Sequence, residues 1–85
     1  MKRKVYWEQA AAEQIAQLAA RNSRQAARIL LATREFGQTS RGDVKKLRGK
    51  PNEWRLRVGH WRVIFELWAD AAWITDVADR QDAYD

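Results

Sequence analysis

Hydrophobic and polar residues alternate most strictly between Trp54 and Phe65, on either side of Gly59-His60. A period of two is the mark of a strand with one buried face. Glycine at the first position of a two-residue loop suits a type II′ hairpin turn. That turn sets a register: Val58 faces Trp61, Arg57 faces Arg62, Leu56 faces Val63, Arg55 faces Ile64 and Trp54 faces Phe65. One face then carries Trp54, Leu56, Val58, Trp61, Val63 and Phe65, all apolar, and belongs to the core. The other carries Arg55, Arg57 and Arg62.

Before the hairpin the period changes. Lys4–Trp7 is β-prone and reads as a short first strand. Residues 8–20 are rich in Ala, Gln and Glu, which favour helix, and Ala11, Ile15, Leu18 and Ala19 make a one-sided stripe. Arg21-Asn22 interrupts it. Asn22 or Ser23 can cap a second helix, which runs to about Phe36 with Ala26, Ala27, Leu30, Leu31 and Arg34 on its stripe. Gly37 suits its C′ position. Gln38–Asp43 is a polar loop, Val44–Leu47 is half extended, and Arg48–Asn52 carries turn residues. Glu66–Trp68 completes the strand begun at Trp61, and Trp73–Asp79 forms another.

Parity links those last two strands. Trp73, Thr75 and Val77 share the core face with Trp61, Val63, Phe65 and Leu67 only if the connection has an odd number of residues. A three-residue loop, Asp70–Ala72, meets that condition. It sets Leu67 opposite Thr75, Phe65 opposite Val77 and Arg62 opposite Arg80, so Arg57, Arg62 and Arg80 align across neighbouring strands. Trp68 and Ile74 then fall on the arginine face, as a stack for bases or a dock for a partner peptide. The expected architecture is α+β, in the order β-α-α-β-β-β, with a helical hairpin packed on one face of a small, mostly antiparallel sheet. No linker, internal repeat or low-complexity tract divides residues 1–85, which make a single domain.

Composition narrows the chemistry. The chain has no cysteine and a single histidine, His60, so thiolate and His-rich metal sites are excluded and no cofactor is expected. His60 reads as a turn residue rather than a catalyst. Five tryptophans among 85 residues supply large surfaces for burial. No stretch approaches the roughly 20 apolar residues of a membrane helix. The N-terminus has no signal-peptide pattern, which makes the cytosol the default location. A net charge of +5 favours a polyanionic partner, nucleic acid first.

Two guanidinium groups directly opposite one another repel, and a hairpin that needed only solubility has cheaper choices. The cluster therefore reads as an anion site. The competing reading is a solvated face in which Glu66 and Asp76 pair with part of the charge. Lys45, Lys46, Arg48 and Lys50 form a basic stretch placed to grip backbone phosphates.

Lys46-Leu-Arg-Gly49, the Arg55–Arg62 hairpin and Asp79-Arg-Gln-Asp-Ala-Tyr84 together resemble the RelE/ParE toxin superfamily, and the likeness spans essentially the whole chain. RelE-like members are messenger-RNA endonucleases acting in the ribosomal A site. ParE-like members keep the fold and inhibit DNA gyrase. By position, the resemblance implies that Arg55 and Arg57 stand where RelE-type enzymes carry basic residues, commonly lysine. Arg62 stands for the arginine after the turn, and Arg80 and Tyr84 for the terminal Arg-x-x-x-Tyr.

The implied reaction is metal-independent. The RNA 2′-hydroxyl attacks the adjacent phosphorus, leaving a 2′,3′-cyclic phosphate and a 5′-hydroxyl. Arginine forks suit the phosphorane charge, and Tyr84 stacks on a base or orients the hydroxyl. Arginine does not release its proton near neutral pH, so a general base falls to Tyr84, water or a ribosomal group. Tyr84 also suits a bland role, anchoring the C-terminus. The resemblance further implies a cognate antitoxin whose acidic segment folds on binding, with messenger RNA on the ribosome as target and gyrase as the alternative. Neither Arg62 nor Tyr84 is expected in the core.

Overall fold

The hairpin pairs as its alternation demands. In the computed structural model, which describes residues 2–79, Glu53–Val58 and Trp61–Trp68 are antiparallel, with Arg57 opposite Arg62 and Trp54 opposite Phe65. Gly59 sits at φ 61°, the left-handed value that the first position of this turn requires.

Around this hairpin the chain runs β1 (Lys4–Trp7), α1 (Gln9–Arg21), α2 (Ser23–Thr39), β2 (Asp43–Lys46), β3 (Glu53–Val58), β4 (Trp61–Trp68) and β5 (Ala71–Asp79). The half-extended stretch at Val44 is thus a full strand, which makes the order β-α-α-β-β-β-β rather than β-α-α-β-β-β. The sheet order is β1-β5-β4-β3-β2, with β1 parallel to β5 and every other pair antiparallel. A single residue, Asn22, joins the helices. Its backbone N–H donates to Leu18 O at 2.6 Å, closing α1, while its side chain accepts from Gln25 N at 3.1 Å, opening α2.

Both helices cover one sheet face. Ala11 and Leu18 of α1 and Ala26, Ile29 and Phe36 of α2 join Leu56, Val58, Val63, Phe65, Ala72, Ile74 and Val77 in one core. Phe36 lies against Phe65 with ring centroids 5.0 Å apart.

The buried stripe of α2 is Ala26, Ile29, Thr33 and Phe36; of the expected stripe only Ala26 is buried, while Ala27, Leu30, Leu31 and Arg34 are exposed. Both stripes have helical spacing, so periodicity alone cannot choose between them. The sheet chooses, because this rotation also turns Gly37 toward β1. A Cβ at Gly37 would lie 2.6 Å from Val5 Cγ2 and 3.2 Å from Arg3 O. Gly37 is therefore a close-approach residue inside the helix and not its C′ position. α2 ends at Ser40, with φ 62° and its N–H donating to Phe36 O.

The β4–β5 connection also departs from expectation. It has two residues, Ala69-Asp70, with Trp68 opposite Ala71, and a β-bulge at Thr75. The even loop turns Ala72 and Ile74 inward, and the bulge then restores Val77 to the core. Trp73 consequently points away from the helices and Ile74 joins the core, the reverse of the parity argument. A bulge inserts one unpaired residue and resets alternation, which no reading of loop length alone detects. β1 covers only Ala71–Ile74. Beyond it, the Gln14 side chain serves the β5 edge, accepting from Val77 N at 2.9 Å and donating to Asp76 Oδ1 at 2.6 Å.

Ala69 holds φ 54°, a left-handed conformation that glycine adopts without Cβ strain. Ala69→Gly is expected to stabilise the domain by about 1 kcal/mol, read as a higher urea midpoint at unchanged slope.

Candidate nucleic-acid interface

The sheet face away from the helices is built row by row from the registers. Asp43, Arg57, Arg62 and Ala78 lie side by side across β2, β3, β4 and β5. The next row is Lys45, Arg55, Ile64 and Asp76. After it comes a row of Glu53, Glu66, Trp73 and Tyr6, the last from β1. Cations gather at one end of this face and aromatic rings at the other.

The three arginines differ. Arg55 is only 7% exposed, and its Nη1 donates to Asp43 O at 2.8 Å and to Asp43 Oδ1 at 3.1 Å. Arg62 is 6% exposed, so it is more enclosed than the sequence reading allowed. A residue in the middle strand of a twisted sheet is flanked on both sides, and a long stem buries itself there while its head stays polar. Arg57 is exposed, with a long contact from Nε to Gly59 O at 3.4 Å. Among the described residues Arg57 forms no ion pair.

Each carboxylate of the competing, neutralising reading also makes a hydrogen bond outside the arginine cluster. Glu66 accepts the indole N–H of Trp68 at 2.8 Å, and Asp76 accepts from Gln14. Asp43, which sequence reading left in a loop, meets Arg55 on this face. Asp43→Ala should cost about 1 kcal/mol, because the backbone carbonyl still accepts from Arg55 and the lost carboxylate is largely exposed. Chemical unfolding measures it.

The expected alignment of Arg57, Arg62 and Arg80 does not form as drawn: Ala78 occupies the β5 position opposite Arg62. Arg80 and Tyr84 lie outside the described residues. β5 ends at Asp79, opposite Trp61 and one position along from Arg62.

The basic stretch divides. Lys45 shares the arginine face, opposite Arg55, and is exposed. Arg48 and Lys50 belong to the connection between β2 and β3. Together with Gly49, Glu53, Ile64, Thr75 and Asp76 they line a concavity of about 670 Å³ on this face. Lys50 Nζ lies 3.8 Å from Glu53 Oε2. Ile64 is buried on this side, outside the helix-facing cluster. Lys46 departs from the group: it is opposite Trp54, on the helix side, with its ammonium 5.9 Å from that ring.

Sequence reasoning placed Trp68 on this face but missed the two rings beside it at the aromatic end. Tyr6 and Trp73 stack with centroids 4.5 Å apart and planes at 21°. The signal was present, because Ala69-Asp70 between Trp68 and Ala71 also reads as a two-residue hairpin, which turns Trp73 outward.

A family model described as "ParE toxin of type II toxin-antitoxin system, parDE" matches residues 5–84. No curated protein is significantly similar in sequence. Among solved structures, the archaeal RelE–RelB complex from Pyrococcus horikoshii aligns with TM-score 0.77 at 21% identity, covering 98% of this chain and 100% of that one. A YoeB/ParE toxin from Agrobacterium tumefaciens aligns with TM-score 0.77 at 14% identity, covering 89% and 96%. The RelB–RelE antitoxin–toxin complex from Methanococcus jannaschii gives TM-score 0.73 at 21% identity, covering 94% and 95%.

Proposed function

Since the chain belongs to the ParE toxin family of type II toxin–antitoxin systems, we propose that it exerts toxicity as a metal-independent endonuclease that cleaves messenger RNA on the ribosome. The observation that carries this reading is the Arg57–Arg62 pair. Their mutual repulsion is costly in a free hairpin and becomes favourable once a phosphodiester sits between them. Arg55, braced by Asp43, adds a third positive charge in the next row.

In the proposed reaction the 2′-hydroxyl of the RNA attacks the neighbouring phosphorus. The bond to the 5′-oxygen breaks, and the products are a 2′,3′-cyclic phosphate and a 5′-hydroxyl. The exposed fork of Arg57 and the recessed one of Arg62 hold non-bridging oxygens and stabilise the charge that builds on the phosphorane. They also restrain the phosphate for in-line attack. Arg80 and Tyr84 are assigned by sequence position to the same site. Tyr84 is the candidate for orienting the hydroxyl and taking its proton, since neither arginine of β3 can serve as a base. Lys45, Arg48 and Lys50 would contact flanking phosphates. Lys46 would reach them only around the sheet edge.

Inhibition of DNA gyrase by binding alone is the second reading. It is favoured by the ParE family match and by arginine at both β3 positions. In either case the proposed partner is a cognate antitoxin, a reading supported by relatives solved as toxin–antitoxin complexes.

Brief induction in cells separates the two. The nuclease reading expects loss of labelled-methionine incorporation and new 5′ ends mapping to codons in the A site. Intact messages together with an induced DNA-damage response would overturn it in favour of gyrase.

A further inference from the structure

The aromatic end of the open sheet face is not used by the reaction proposed above, yet its exposure is large. Tyr6 is 40% exposed, Trp73 37% and Trp68 56%. All three project on the arginine side, because their neighbours Val5, Trp7, Leu67, Ala72 and Ile74 pack toward the helices. Clustered exposed rings on a small domain mark a binding surface.

We propose that Tyr6 and Trp73, flanked by Trp68, form a stacking platform for bases of the single-stranded RNA whose phosphate is held at Arg57 and Arg62. The inference rests on the nuclease reading for the identity of its ligand. Charge complementarity selects the occupant. Lys4 borders the platform, and Arg57, which forms no ion pair among the described residues, lies four residues away along the sheet, measured from Glu66 to Arg62. At the rise of a β-strand this is about 13 Å, a span that a few nucleotides cross.

The two carboxylates in the platform's row are consistent with bases there rather than phosphates. Glu66 is engaged by the Trp68 indole and Glu53 lies beside Lys50. Both retain acceptor capacity suited to the amino groups of bases. Stacking tolerates any base, so the platform would add affinity and fix direction without dictating sequence.

The test uses a fluorescein-labelled 2′-O-methyl RNA oligonucleotide, which cannot undergo 2′-hydroxyl attack, titrated by anisotropy at several salt concentrations. Trp73→Leu keeps apolar bulk and removes the π-face, and is expected to weaken binding about 5- to 150-fold with the salt slope unchanged. Trp73→Phe should retain most of the affinity. Arg57→Ala should instead lower the slope by about one.

Wild-type affinity in a Trp73→Leu protein of unchanged thermal midpoint overturns the platform. So does a wild type that ignores the oligonucleotide. If that wild type instead binds poly-glutamate through Trp73, the face is a protein dock. The nuclease reading is scored separately, by cleavage of message on ribosomes. A wild type that cuts nothing but shows the Trp73→Leu binding loss retains the platform and loses the nuclease.

Discussion

Replacing Arg57 by alanine is expected to lower RNA cleavage about 10²- to 10³-fold, the usual loss when one preoriented donor to a transition-state anion is removed. The same change should leave the domain as stable as before, or more stable by a few tenths of a kcal/mol. Arg57 is exposed and forms no ion pair among the described residues, and it faces Arg62 across the strand pair. Removing it relieves a like-charge repulsion. Opposite signs for activity and stability distinguish an anion site from a merely solvated face, where neither quantity would move much. Cleavage of a defined message on ribosomes, with urea unfolding of the same preparations, measures both. Equal cleavage by wild type and variant removes Arg57 from the site. Arg62→Ala is the weaker experiment, because Arg62 is enclosed and its loss would also disturb packing.

Phe65→Ala should have the largest effect on stability, about 3–5 kcal/mol. Phe65 is 2% exposed, sits in the middle of β4 and meets Phe36 of α2. It therefore joins sheet to helix at the point where the α2 rotation is set. A domain of this size has a total stability on the order of 4–13 kcal/mol, so the loss is a large share of the whole. Phe65→Leu, which retains most of the volume, should recover much of that loss. Thermal unfolding followed by circular dichroism checks both. If alanine costs under about 1 kcal/mol, the Phe36–Phe65 contact does not organise the fold as described.

By itself the sequence determined the hairpin, its register and its two chemically distinct faces, because a two-residue turn plus strict alternation leaves no second solution. It also determined both helices and the break at Asn22, which local propensity and a capping side chain settle without distant contacts. The superfamily was legible from the same hairpin. Three things were decided only by tertiary structure.

The face of α2 depended on β1, since two stripes of helical spacing compete and the winner is the one that lets Gly37 touch Val5. The return of Val77 to the core depended on a bulge at Thr75, and a bulge is a property of the pairing, not of one strand. The inequality of the arginines depended on where β2 lies, because Asp43 reaches Arg55 only after that edge strand has formed. In each case the deciding partner lies in another element, and the pattern along one element does not specify it.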